Sequence, residues 1–355
     1  DGPQMNATPD GLHDALERTG FRASLAPDYT LGRAPALQHR AAGPPSEASY
    51  FGLPAIKKPA WEWFVPAYFL VGGTASGAYI AATLADIVGR RSDRPYVVAG
   101  RLIAMLGVVA SLPLLVADLG RPERFLNMLR VFKPRSMMST GSWALTIFGG
   151  FTGLAVGVEL LRAVSSRSPL LRVLVGPLGA VSWLGALPAM YVGSYTGVLL
   201  SATNVPMWAG NRFLMGPLFF SSALSCGLAA TRLGARLCGP LSPSGEERFE
   251  RAEQQVLITE LAITAASAVT LRGAARPLLT GRWGRLYQMG SLGAGLLLPL
   301  VLARLGLRGG FWGPVSSVLV LIGGASTRFA VTEAGKQSAD DPRAYFAYTT
   351  PEAHP

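Results

Sequence analysis

Four stretches of the chain gather residue types that can exchange a proton and hold a polar ring. They are Trp61-Glu62-Trp63-Phe64-Val-Pro-Ala-Tyr68, Asp118-Leu-Gly-Arg121-Pro-Glu-Arg-Phe, Tyr195-Thr-Gly-Val-Leu-Leu-Ser running on to Trp208, and Gly323-Gly324-Ala-Ser-Thr-Arg328. A quinone head group needs an apolar slot, a hydrogen bond to each carbonyl and a group that exchanges protons. Asp118, Glu62 and Tyr195 fit those roles, with Tyr68, Trp208, Arg121 and Arg328 beside them. An Asp at a helix C-terminus opposes the helix dipole and needs a cation. Arg121 or Arg328 is expected to supply it and to hold the Asp118 carboxyl low. For most of the tyrosines and tryptophans taken singly, the ordinary aromatic belt of a membrane protein is the simpler reading.

A second set lies inside apolar runs. Charges there cost roughly 2.5–3.5 kcal/mol each on insertion scales, so they need a reason. Asp86, Glu159 and Arg101 sit near one end of their runs, and Glu260 lies deepest. An internal ion pair, Arg101 with Asp86 or Glu159, is the simpler reading. The sharper one is a partial proton path in which Glu260 is the strongest candidate.

The scarcity of metal ligands narrows the chemistry. Cys226 and Cys238 are the only cysteines, and His13, His39 and His354 the only histidines. Iron–sulfur clusters and structural zinc normally take four such ligands, and a buried haem needs axial histidines on its helices. No metal, haem or iron–sulfur cluster is expected on this chain.

The elements that must position these residues are apolar runs of about 20 residues, the length of a membrane-spanning helix. They fall near 63–88, 97–117, 140–161, 173–200, 213–231, 255–271, 287–303 and 312–331. The fourth is expected to kink at Pro188, and the sixth and seventh read as short. Runs that are continuous rather than alternating argue against strands. The expected fold is all-α, with about eight transmembrane helices. Residues 1–58 read as an extramembrane arm with one short amphipathic helix at Asp10–Arg18, 59–331 as the membrane domain, and 332–355 as an extramembrane tail.

Half of the residues are hydrophobic and 15% charged, against roughly 25% charged in a soluble domain. The net charge of +11 falls between the apolar runs, where arginines favour anionic lipid head groups. No basic helix or aromatic motif for nucleic acid accompanies it. Lys and Arg are balanced across the two sides, so they do not set the orientation.

Taken together, the span-one pattern from Trp61 to Gly77, Asp118-Leu-Gly-Arg-Pro, Ser139-Thr-Gly-Ser-Trp143, Tyr195-Thr-Gly-Val-Leu-Leu-Ser and the Gly-Gly-x-x-x-Arg ending at Arg328 resemble the NrfD/PsrC family over about 60–335. These are membrane subunits of polysulfide-reductase-type complexes. The resemblance implies two four-helix bundles and a quinone site, for menaquinone or ubiquinone, in the bacterial cytoplasmic membrane. It also implies a ferredoxin-like, four-cluster iron–sulfur partner and a molybdopterin-type catalytic subunit. Asp118 and Arg121 carry over as quinone-side residues, and Tyr195 as the tyrosine at the ring. Family members often have His or Asn near the start of span one, where this chain has Glu62, so the ring's hydrogen-bond donor stays open. A transporter or channel, or an anchor without quinone chemistry, would share the apolar pattern. The first needs paired Gly/Pro breaks in matching halves, and only Gly193–Gly197 offers one.

Overall fold

The computed structural model describes Ile56 and residues 59–119, 122–164, 169–271, 275–307 and 310–341. Among these, every regular element is helical. The helices are α1 (Phe64–Val88), α2 (Arg94–Ala117), α3 (Met137–Val164), α4 (Pro169–Trp183), α5 (Ala186–Ser201), α6 (Arg212–Cys238), α7 (Pro243–Leu271), α8 (Gly281–Arg304) and α9 (Trp312–Ser338). α4 and α5 are halves of one span. Eight helices of 24 to 29 residues are therefore long and apolar enough to cross a bilayer, and the chain is an all-α, multi-pass membrane protein.

α1 and α6 are central. In each, 67% of the most apolar window is buried, against 22% in the α4–α5 span. α1 packs on α2, α5, α6 and α9, and α6 meets α2, α5, α7 and α9. The first four spans close one bundle and the last four another, joined along the α1–α6 seam. That seam needs glycine: a Cβ on Gly227 would run into the backbone of Gly77 and Ala78. Without a hydrophobic drive between helices in lipid, such close approach supplies the packing.

Three boundaries differ from the sequence expectation. The fourth span breaks at Leu184 and Gly185 rather than at Pro188. Proline has no N–H to give, so the helix restarts just upstream and takes Pro188 into its first turn. At the break the Tyr79 hydroxyl donates to the Ser182 carbonyl at 2.5 Å. α7 starts at Pro243, not near 255, and neither it nor the 24-residue α8 is short. α9 runs on to Ser338. In α7 and α9, polar turns extend the helix past its apolar run, where hydropathy gives no signal. The arm as far as residue 55, with its expected helix at Asp10–Arg18, Arg121 and residues 342–355 lie outside the described residues.

Candidate functional site

A cleft opens at one end of the first bundle, where α1 and α3 begin and α2 and α5 end. It brings together Trp61, Tyr68, Asp118, Gly141, Ser142 and Tyr195 against walls that include Phe69, Leu114 and Leu199. Tyr68, Asp118 and Tyr195, which come from three different spans, thus meet as the sequence motifs anticipated.

Asp118 caps the C-terminal end of α2, the unfavourable end for an anion. Its compensation is not an arginine of α9 but the adjacent start of α1, where the Glu62 backbone N–H donates to the carboxylate. The first N–H groups of a helix lack intrahelical acceptors and carry the positive end of the dipole. Burial raises the Asp118 carboxyl above its ordinary range; the Glu62 N–H opposes the rise, the Glu62 carboxylate adds to it, and Lys336 opposes it. The expected lowering by Arg328 is therefore corrected. Removal from water outweighs the cations nearby.

Glu62 is solvent-exposed and does not line the cleft through its side chain. The Tyr195 hydroxyl already donates to the Met137 carbonyl at 2.6 Å, which fixes its ring and leaves only the oxygen lone pairs to accept. Gly141 makes that seat possible, because a Cβ there would collide with the Tyr195 ring. The Tyr68 hydroxyl engages no hydrogen-bond partner among the described residues and lines the same cleft.

Trp208 lies behind the rim rather than in the cleft. It is fully buried, donates from Nε1 to the Val331 carbonyl at 2.9 Å and stacks on Trp61 with ring centroids 5.6 Å apart. The sequence reading missed Lys336, which it placed in a tail. Lys336 is buried on α9 and donates from Nζ to the Trp61 carbonyl and to Glu333 Oε1, each at 2.5 Å. Its signal was helical spacing: Arg328, Thr332 and Lys336 recur every four residues on the buried face of α9.

Arg328 is not at the surface. α9 continues more than two turns beyond it, and its side chain is 1% exposed. It donates to the carbonyls of Phe69 and Gly324 and to Ser222 Oγ, at 3.0, 2.9 and 3.0 Å. It touches the cleft only through the backbone of Phe69. Glu260 of α7 lies nearby and accepts from Ser225 Oγ at 2.7 Å. Two serines of α6 thus stand between a buried carboxyl group and a buried guanidinium.

The other candidate charges form a separate cluster at the opposite end of the first bundle. Arg101 pairs with Asp86 at 2.7 Å and with Glu159. Arg94 pairs with the same two acids, and Arg162 reaches them at 3.5 and 3.1 Å. Trp183 Nε1 also donates to Asp86. The ion-pair reading describes this cluster, with more members than the sequence suggested.

A membrane-spanning helical scaffold with an acid-bearing cleft between its spans defines a multi-pass membrane protein. Residues 55–339 match the family described as "Polysulphide reductase, NrfD". The chain belongs to the NrfD family. It is 28% identical over 305 residues to the C subunit of polysulfide reductase from Wolinella succinogenes, covering 78% of this chain and 94% of that protein. It is 27% identical over 265 residues to an NrfD homologue of Haemophilus influenzae, covering 68% and 82%.

Proposed function

We propose that the chain is the quinone-binding membrane subunit of a bacterial respiratory oxidoreductase. In this reading it anchors an iron–sulfur subunit of the four-cluster, ferredoxin-like type and, through it, a molybdopterin-type catalytic subunit, in the cytoplasmic membrane. Its relatives include a protein named as one subunit of polysulfide reductase, which supports an assembly of several subunits. The observation that carries the reading is the cleft that joins a half-buried acid to two tyrosines within apolar walls.

The donor set suits a quinone ring. Tyr68 has a hydroxyl with no protein acceptor among the described residues, and Asp118 has a carboxyl raised above its ordinary range by burial. The enclosed void is about 40 Å³, room for water rather than a ring. Met138 at its edge is exposed, and an unbranched thioether moves aside readily. A bound quinone supplies two-electron, two-proton redox chemistry. Tyr68 donates a hydrogen bond to a ring carbonyl, Tyr195 lends its fixed ring as a wall, and Asp118 gives or takes the proton at its carboxyl oxygen. Lys336 and the Glu62 N–H hold the carboxylate form against the pull of burial. Arg121 is assigned to the same rim on its motif alone. Glu260 is the interior acid assigned to proton movement beyond the cleft. Asp86, Glu159 and Arg101, held in ion pairs, serve that route only as a fixed electrostatic boundary.

The test is Asp118→Asn in the intact complex. Quinone-linked turnover should fall by about 10²–10⁴, the usual contribution of a positioned acid or base, while iron–sulfur absorption and subunit content stay unchanged. Turnover at the unmutated rate would end the assignment.

A further inference from the structure

A groove of about 360 Å³ lies at the far end of the molecule from the cleft, between the last turns of α1, the second half of α6 and the first turns of α7. Its walls are apolar: Leu84, Val88, Leu228, Phe249 and Ala252. Leu84 and Val88 are 58% and 80% exposed, as expected of side chains that face lipid. Phe249 is fixed from behind by stacking on Tyr96, centroids 4.1 Å apart.

The mouth of the groove is polar and positively charged. Asp93 is buried there, and Arg248 binds both of its oxygens through Nη2 alone, at 2.7 and 2.5 Å. The Nη1 and Nε hydrogens of Arg248 face no acceptor among the described residues, and the side chain is 42% exposed. Gly89 and Asp93 line the groove, and Arg90 and Arg91 are the next two residues after Gly89, both exposed and without a carboxylate salt bridge among the described residues. One guanidinium thus neutralises the acid, and the Arg90 backbone N–H donates to the same carboxylate at 2.9 Å. The height is right as well. α1 ends at Val88, and the polar turns of α7 begin its helix here, so the mouth lies at the head-group layer.

We propose that this groove holds one anionic phospholipid, an acyl chain along its apolar floor and the phosphate on Arg248 with Arg90 and Arg91. Guanidinium groups present paired N–H donors that match phosphate oxygens. A quinone ring offers no such charge, and a choline head group brings a cation to a site already rich in them.

Native mass spectrometry of the purified full chain, with phosphatidylglycerol and phosphatidylcholine titrated in, tests this. One phosphatidylglycerol should be retained in preference to phosphatidylcholine. Arg248→Gln should weaken that retention about fivefold, the effect of one interfacial cation. Because this change also exposes Asp93, Ala252→Trp is the second variant. It fills the groove, leaves every charge in place and should abolish the preference. Equal retention of the two lipids, or an Ala252→Trp protein that binds phosphatidylglycerol as before, overturns the proposal. Neither variant touches the cleft residues, so quinone-linked turnover reports separately on the proposed function.

Discussion

The two ends of the first bundle carry the same kinds of residue and treat their charges in opposite ways. At one end Asp86 and Glu159 are saturated by three arginines. At the other, Asp118 accepts a backbone N–H, feels Lys336 at a distance and looks into a cleft. A saturated carboxylate has no lone pair to spare and a well-defined geometry, which is how a bundle end is locked. An acid with one donor and poor hydration is easy to protonate. Under the proposed function, stability and chemistry are divided between the two ends, and each can be disturbed alone.

The largest effect is expected at the locked end. Arg101→Met leaves Asp86 and Glu159 short of their most buried partner, and breaking such a pair costs about 3–5 kcal/mol. Thermal unfolding of the purified protein should begin at markedly lower temperature, while the protein that remains folded keeps its quinone affinity. An unchanged unfolding temperature would make the cluster dispensable and erase the contrast. At the cleft end, Gly141→Ala pushes a methyl into the Tyr195 ring, an overpacking of about 1–3 kcal/mol. The half-saturating quinol concentration should rise roughly tenfold. Gly153→Ala on the same helix, where a Cβ meets nothing, should leave it unmoved; equal effects from the two would remove Tyr195 from the site. The smallest effect is electrostatic. Lys336→Met removes a cation that favours the Asp118 carboxylate, so the protonated form gains and the titration midpoint moves to higher pH. Infrared difference spectra of the carboxyl band, with Asp118→Asn as the blank, would register that shift; a midpoint that stays or falls contradicts the assignment of Lys336.

The eight spans were legible because the bilayer demands ~20 apolar residues of each, and no other arrangement of these runs meets that demand. The meeting of Asp118, Tyr68 and Tyr195 was legible because the ends of successive spans alternate between two surfaces. What hydropathy could not give was where a helix stops once it turns polar. Closing the eighth span at 331 put Arg328 at the surface and Lys336 in a tail, whereas α9 runs to Ser338 and carries Lys336 back to Trp61. The partner of Asp118 was missed for a different reason. A sequence shows side chains, and the donor is the main chain of Glu62.

The bond between Lys336 and Trp61 joins positions 275 residues apart. The rim of the cleft is therefore tied by the first span and the last. Polypeptides are made from the N-terminus onward, so a nascent molecule lacks its closing tether until the final helix has left the ribosome and entered the bilayer. A half-inserted chain therefore has an open rim, and premature termination before Trp312 leaves the cleft without its tether rather than with a weakened one.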